Sequence, residues 1–165
     1  MKAIRPLLWL MLPVAARAQP AQSRTEPTFA GVTGAFFALS VADLQASTRW
    51  YSEKLGMNVV MEVPKRDNVA VTVLDGGGLI VELIQHDDAV PLSKAAPAVT
   101  SRDRIHGIAK AGVVVPDFDS TVAMLRARGV EIAYGPFPAR ANQRANLLIR
   151  DNAGNLIQFF GKYRS

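Results

Sequence analysis

The chain has no cysteine, so no disulfide can staple it and no thiolate can act as nucleophile or metal ligand. Histidine is scarce as well, His86 and His106 being the only two. Long apolar runs are also missing. The longest near the N-terminus, Pro6 to Ala16, has eleven residues, short of the roughly twenty a membrane-spanning helix needs. That run follows Lys2 and Arg5 and ends in Ala16-Arg17-Ala18, a small-x-small pattern, so residues 1–18 read as a secretory signal peptide cut after Ala18. No paired arginines mark a twin-arginine route, and the lack of cysteine excludes a lipid anchor. The expected location is therefore periplasmic or secreted, with no membrane contact after cleavage.

The charge balance changes once the signal is set aside. The whole chain carries 19 basic and 14 acidic residues; the signal holds three of the bases and none of the acids, leaving 16 against 14, or +2. Nothing in that balance calls for a nucleic-acid partner. The residues after Ala18 are enough for one compact domain with a real core. A leader over 19–33, rich in Gln, Pro, Ser and Thr at its start, is expected to be flexible.

An internal duplication organises the rest. Ala38-Leu-Ser-Val-Ala-Asp-Leu44 matches Gly112-Val-Val-Val-Pro-Asp-Phe118, and Val41, Asp43 and Ser47 return as Val115, Asp117 and Thr121 at an offset of 74. Each segment leads into a helical pattern that a glycine stops, Gly56 in the first copy and Gly129 in the second. Asp43 and Asp117 are placed as N-caps. Tyr51 falls on the inward face of the first helix and is expected in the core. Three strand-like stretches follow in each copy: Asn58–Val63, Ala70–Leu74 and Leu79–Ile84, then Glu131–Tyr134, Ala145–Arg150 and Leu156–Phe160. Asp75-Gly76-Gly77-Gly78 reads as a hairpin turn, because no helix or Lys-Ser/Thr follows to make it a phosphate cradle. The stretch from Tyr134 to Arg144 reads as a polar, Gly/Pro-marked loop that could bring Arg140 or Asn142 to a ligand. The fold class is α+β, two βαβββ units.

Val-x-Asp-Leu before the first helix, Tyr-x-x-x-Leu-Gly at its end and Asp-x-x-Gly-Asn before the last strand resemble the vicinal oxygen chelate superfamily. That group contains glyoxalase I, bleomycin- and fosfomycin-resistance proteins and extradiol dioxygenases. The resemblance covers residues 34–161: module one over 34–86, a linker over 87–106 and module two over 107–161. It implies a curled eight-stranded mixed sheet around a cavity, with the helices outside. Homodimers are common in the family, and an exposed sheet edge would be the place to form one.

The family usually holds a divalent metal on the first and last strands of each module. Those positions correspond here to Phe36, Glu82, Lys110 and Gln158. Only Glu82 is an ordinary ligand; phenylalanine offers no donor, Gln158 one neutral carbonyl, and Lys110 a like charge. No cofactor is therefore expected. A shifted divalent-metal site could draw on Glu82, Gln158, His86 and His106, but the strand spacing places these histidines about 13 Å along the run.

Without a metal, Lys110 could pair with Glu82, with Gln158 beside them. Such a pair could be structural, could form the polar floor of a ligand site with Phe36, or could make Lys110 and Glu82 catalytic candidates, the lysine as base or Schiff-base nucleophile. Two functions stay open. One is metal-independent binding of a small-molecule ligand between the modules. The other is a glyoxalase- or dioxygenase-like lyase, isomerase or oxygenase with a nonstandard metal site.

Overall fold

The computed structural model describes residues 34–163, so the signal peptide expected over 1–18 and the leader over 19–33 lie outside the described residues. In chain order the elements are β1 (Ala35–Ser40), α1 (Leu44–Trp50), β2 (Asn58–Arg66), β3 (Val69–Asp75) and β4 (Leu79–His86), then α2 (Leu92–Ala95) in the linker. The second copy follows as β5 (Ala111–Val114), α3 (Phe118–Ala127), β6 (Glu131–Phe137), β7 (Asn146–Arg150) and β8 (Leu156–Phe160). No helix among the described residues is long and apolar enough to cross a membrane.

The eight strands form two four-stranded sheets, β1-β4-β3-β2 and β5-β8-β7-β6. Within each, the first strand runs parallel to the last and the other pairs are antiparallel. The α+β class and the two modules are as the sequence implied, but the strands do not join into one eight-stranded sheet. The edges that would have to meet, β1 and the approach to β5, instead line a cavity of about 440 Å³. The stretch from Tyr134 to Phe137, read as loop, belongs to β6, whose ladder slips as it passes a cis Gly135-Pro136 bond. Beyond it, Arg140 and Gln143 exchange backbone hydrogen bonds of 2.9 and 3.1 Å, which closes that segment into a tight turn.

Local chemistry accounts for the helices. Asp43 accepts the Ala46 N–H at 2.9 Å, and Asp117 accepts the Ser120 N–H at 2.9 Å and the Ser120 hydroxyl at 2.7 Å. Both caps satisfy donors that the first turn leaves free. After Trp50, α1 widens into a single π-helical turn over Tyr51–Leu55, and Gly56 ends it at φ 72°, a left-handed conformation suited to glycine. The helix ends also hold each other. Lys54 Nζ donates to the Arg128 carbonyl at 2.5 Å, and Arg128 Nη1 donates to the Lys54 carbonyl at 3.2 Å. These two residues are 74 apart, the period of the duplication.

One core serves both modules. Tyr51, Leu74, Val81 and Leu83 pack in the same buried cluster as Leu125, Leu147, Ile149 and Ile157. Within it the Tyr51 hydroxyl donates to Asp151 Oδ2 at 2.9 Å, across the module boundary. Asp151 also accepts the N–H groups of Ala153 and Asn155 and the Asn155 side-chain amide, at 2.7–3.0 Å. Four donors fill the capacity of a buried carboxylate. Burial, then the adjacent negative charge of Asp151, pushes the Tyr51 phenol far above its ordinary range, so it remains a donor.

Two outcomes test these contacts. Tyr51→Phe should cost about 1–2 kcal/mol in urea unfolding, because it removes one of four donors from a buried acceptor. The second concerns acid. The Ser120 N–H, and then its hydroxyl, hold the Asp117 carboxyl below its ordinary range. That contribution to stability is complete above the unfolded value of about 3.9 and is lost as pH falls through the lower folded value. Asp117→Asn keeps a capping oxygen but cannot titrate. The urea midpoint advantage of the parent over this variant should be present at pH 7 and should shrink below about pH 3.9.

Candidate functional site

Side chains alternate along a strand, so β4 sends Val81 and Leu83 into the core and Ile80, Glu82 and Ile84 to the opposite face. The ladders place Ala38 of β1 and Val73 of β3 beside Glu82, with Met61 of β2 beyond Val73. The second sheet repeats the rung: Gly112 and Leu148 flank Gln158, with Tyr134 beyond Leu148. Ala38, Glu82, Val73 and Met61 thus correspond to Gly112, Gln158, Leu148 and Tyr134. Glu82 and Gln158 do occupy equivalent places. A side chain at Gly112 would be tight, since its Cβ would lie 3.3 Å from the Gln158 carbonyl oxygen.

The structure does not bring Glu82 and Lys110 together. Among the described residues the ion pairs are Lys65–Asp87, His86–Asp88 and Arg150–Glu131, and neither Glu82 nor Lys110 takes part. Glu82 sits at mid-strand in β4, one strand in from β1, and lines neither of the cavities that Lys110 borders. Nor does Gln158 stand beside them as expected. It is buried, and its amide donates to Asn146 Oδ1 at 3.0 Å while Asn146 donates to the Arg144 carbonyl at 3.1 Å. A polar neighbour on its own sheet therefore claims it.

The shifted histidine set does not assemble either. His86 ends β4, opposite Val69, and pairs with Asp88, while His106 is exposed in the linker. Among the described residues no group of three or more His, Asp or Glu is placed to hold a metal ion. The family's metal does not fit the side chains at the inherited positions. Phe36 has no donor and is 62% exposed, Lys110 is a cation, and the Gln158 amide is engaged. Glu82 alone would remain, one carboxylate where several donors are needed.

What does converge is Phe36 with Lys110. Both line the cavity between β1 and the approach to β5, together with Arg102, Ile108, Asn155 and Leu156. A neighbouring cavity of about 520 Å³ shares Arg102, Lys110, Asn155 and Leu156 and extends to Tyr134 and Arg150. Arg102 was not among the residues singled out from sequence. It lies in a short 3₁₀ turn of the linker, where no periodicity marks which way a residue faces.

A family model described as the Glyoxalase/Bleomycin resistance protein/Dioxygenase superfamily matches residues 35–159. The chain belongs to that superfamily, the vicinal oxygen chelate group. No curated protein matches it. Among solved structures it is similar to a glyoxylase/bleomycin resistance protein/dioxygenase domain from Frankia sp. EAN1pec, at 21% identity and a TM-score of 0.60 over 84% of this chain and 96% of the other. TnmS3, an antibiotic binding protein from Streptomyces sp. CB03234, is 19% identical with a TM-score of 0.55 over 84% and 100%. A mutant of the fosfomycin resistance protein FosX from Listeria monocytogenes, complexed with Mn(II) and 1S,2S-dihydroxypropylphosphonic acid, is 12% identical with a TM-score of 0.52 over 81% and 92%. At these identities the likeness is one of fold.

The separation of Glu82 from Lys110 has a direct test. In a cycle of Glu82→Gln, Lys110→Met and the double variant, the stability changes should add to within about 0.5 kcal/mol. A larger coupling would mean that the two charges interact after all.

Proposed function

We propose that this chain is an exported member of the superfamily that binds a small molecule between its modules without a divalent metal at the inherited positions. The observation that carries this reading is the lining of the cavity between β1 and the approach to β5. Phe36 and Lys110, two of the four inherited positions, face it with hydrocarbon and an ammonium group. Such a surface suits an organic ligand better than a cation. The description of TnmS3 as an antibiotic binding protein is in keeping with a binding role on this frame. The basic, apolar, small-x-small start of the chain supports export to the periplasm or beyond.

The same reading includes a homodimer. On the face of the first sheet opposite the core, Met61 and Val63 of β2 and Ile80 of β4 are exposed, apolar surface that a monomer would leave in water. Native mass spectrometry addresses both points at once. After incubation of the purified protein with nickel, zinc, manganese or iron(II) and removal of excess, the expected mass is that of two chains without metal. One metal per chain would overturn the metal-independent reading in favour of a lyase, isomerase or oxygenase with a nonstandard site. A purely monomeric mass would remove the dimer.

A further inference from the structure

The two cavities that share Lys110 point to the charge of the ligand. We infer that the molecule held between the modules is an organic anion, a flat apolar body with one oxyanion head seated at Lys110 and Arg102. The inference deepens the small-molecule reading above and rests on it.

Lys110 and Arg102 line both cavities. Among the described residues neither takes part in an ion pair or donates a side-chain hydrogen bond. The smaller cavity has no carboxylate in its lining at all. The larger has one, Asp103, which already accepts a hydrogen bond from the Ser101 hydroxyl. Arg150, also in the larger cavity, is occupied: its Nε donates to Glu131 at 3.1 Å and its Nη1 to the Gly154 carbonyl at 3.3 Å. In the smaller cavity two cations therefore border one hollow with no acid in its lining, and in the larger one they and Arg150 outnumber the single carboxylate of Asp103. An oxyanion between them gains charge-assisted hydrogen bonds from both, a neutral group gains less, and a cation is repelled.

The rest of the lining sets the body of the ligand. Phe36 and Ile108 stand 62% and 84% exposed, and Leu156 lies beside them. Exposed hydrocarbon flanking a pair of cations matches an aromatic ring that carries an acid group. Both cations are exposed, so the attraction is screened by salt.

Calorimetric titration of the full 165-residue chain with 1-naphthoate, 1-naphthamide and 1-naphthylmethylammonium separates the possibilities. The expected result is tighter binding of the naphthoate than of the amide, with a preference that falls as salt is raised. Lys110→Met and Arg102→Met should each weaken naphthoate by about tenfold. Lys110→Glu should bring the ammonium probe ahead of it. Lys94→Met, a substitution of a cation that lines neither cavity, should change nothing. Equal or tighter binding of the amide or the ammonium by the parent protein would overturn the anion inference and leave the binding reading standing. Failure of all three probes to bind would overturn both.

Discussion

The carboxylate of Asp151 lies in the interior, and the surrounding chain is arranged to supply it with donors. Three come from the turn between β7 and β8, which it organises. The fourth is the Tyr51 hydroxyl, contributed by the other module. Removing a donor from such a group exposes the cost of its desolvation, so the two modules are tied by a polar contact as well as by shared hydrocarbon. The tie runs in one direction only. At the equivalent positions stand Leu125, buried, and Asp75, which caps its own turn through Gly77.

That pattern, common frame and divergent detail, repeats at the site. The rung through Glu82 and the rung through Gln158 are built alike, with Ala38 matched by Gly112 and Met61 by Tyr134. Yet one rung presents a carboxylate without a partner among the described residues, and the other a buried amide bonded to Asn146. Where metal chemistry would need these groups to converge, each sheet keeps its own. The groups that do converge come from the seam between the modules, where β1 faces the entry to β5.

The frame was readable from local patterns because local forces make it. Caps at Asp43 and Asp117, left-handed glycines at 56 and 129, and strand runs bounded by Asp/Gly turns each depend on neighbours a few residues away. Two of the motifs behind the family resemblance proved to be halves of one contact, since Tyr51 opens Tyr-x-x-x-Leu-Gly and Asp151 opens Asp-x-x-Gly-Asn. Their meeting across a hundred residues could not be read from either alone. The pairing of Lys110 with Glu82 failed for the same reason. Strand parity orients a side chain within its sheet but carries no information about how far apart two sheets lie. Arg102 was missed because a linker has no period to read.

The crossed contact at the helix ends has the form of a subunit interface inside one chain. Lys54 and Arg128, equivalent members of the two copies, each reach the other's carbonyl, as two identical subunits do across a twofold axis. The core is likewise common property, with Leu74 and Leu83 from one copy closed by Leu147 and Ile149 from the other. Either module by itself would leave its part of that cluster in water. The linker therefore holds within one chain two modules that close a single core between them.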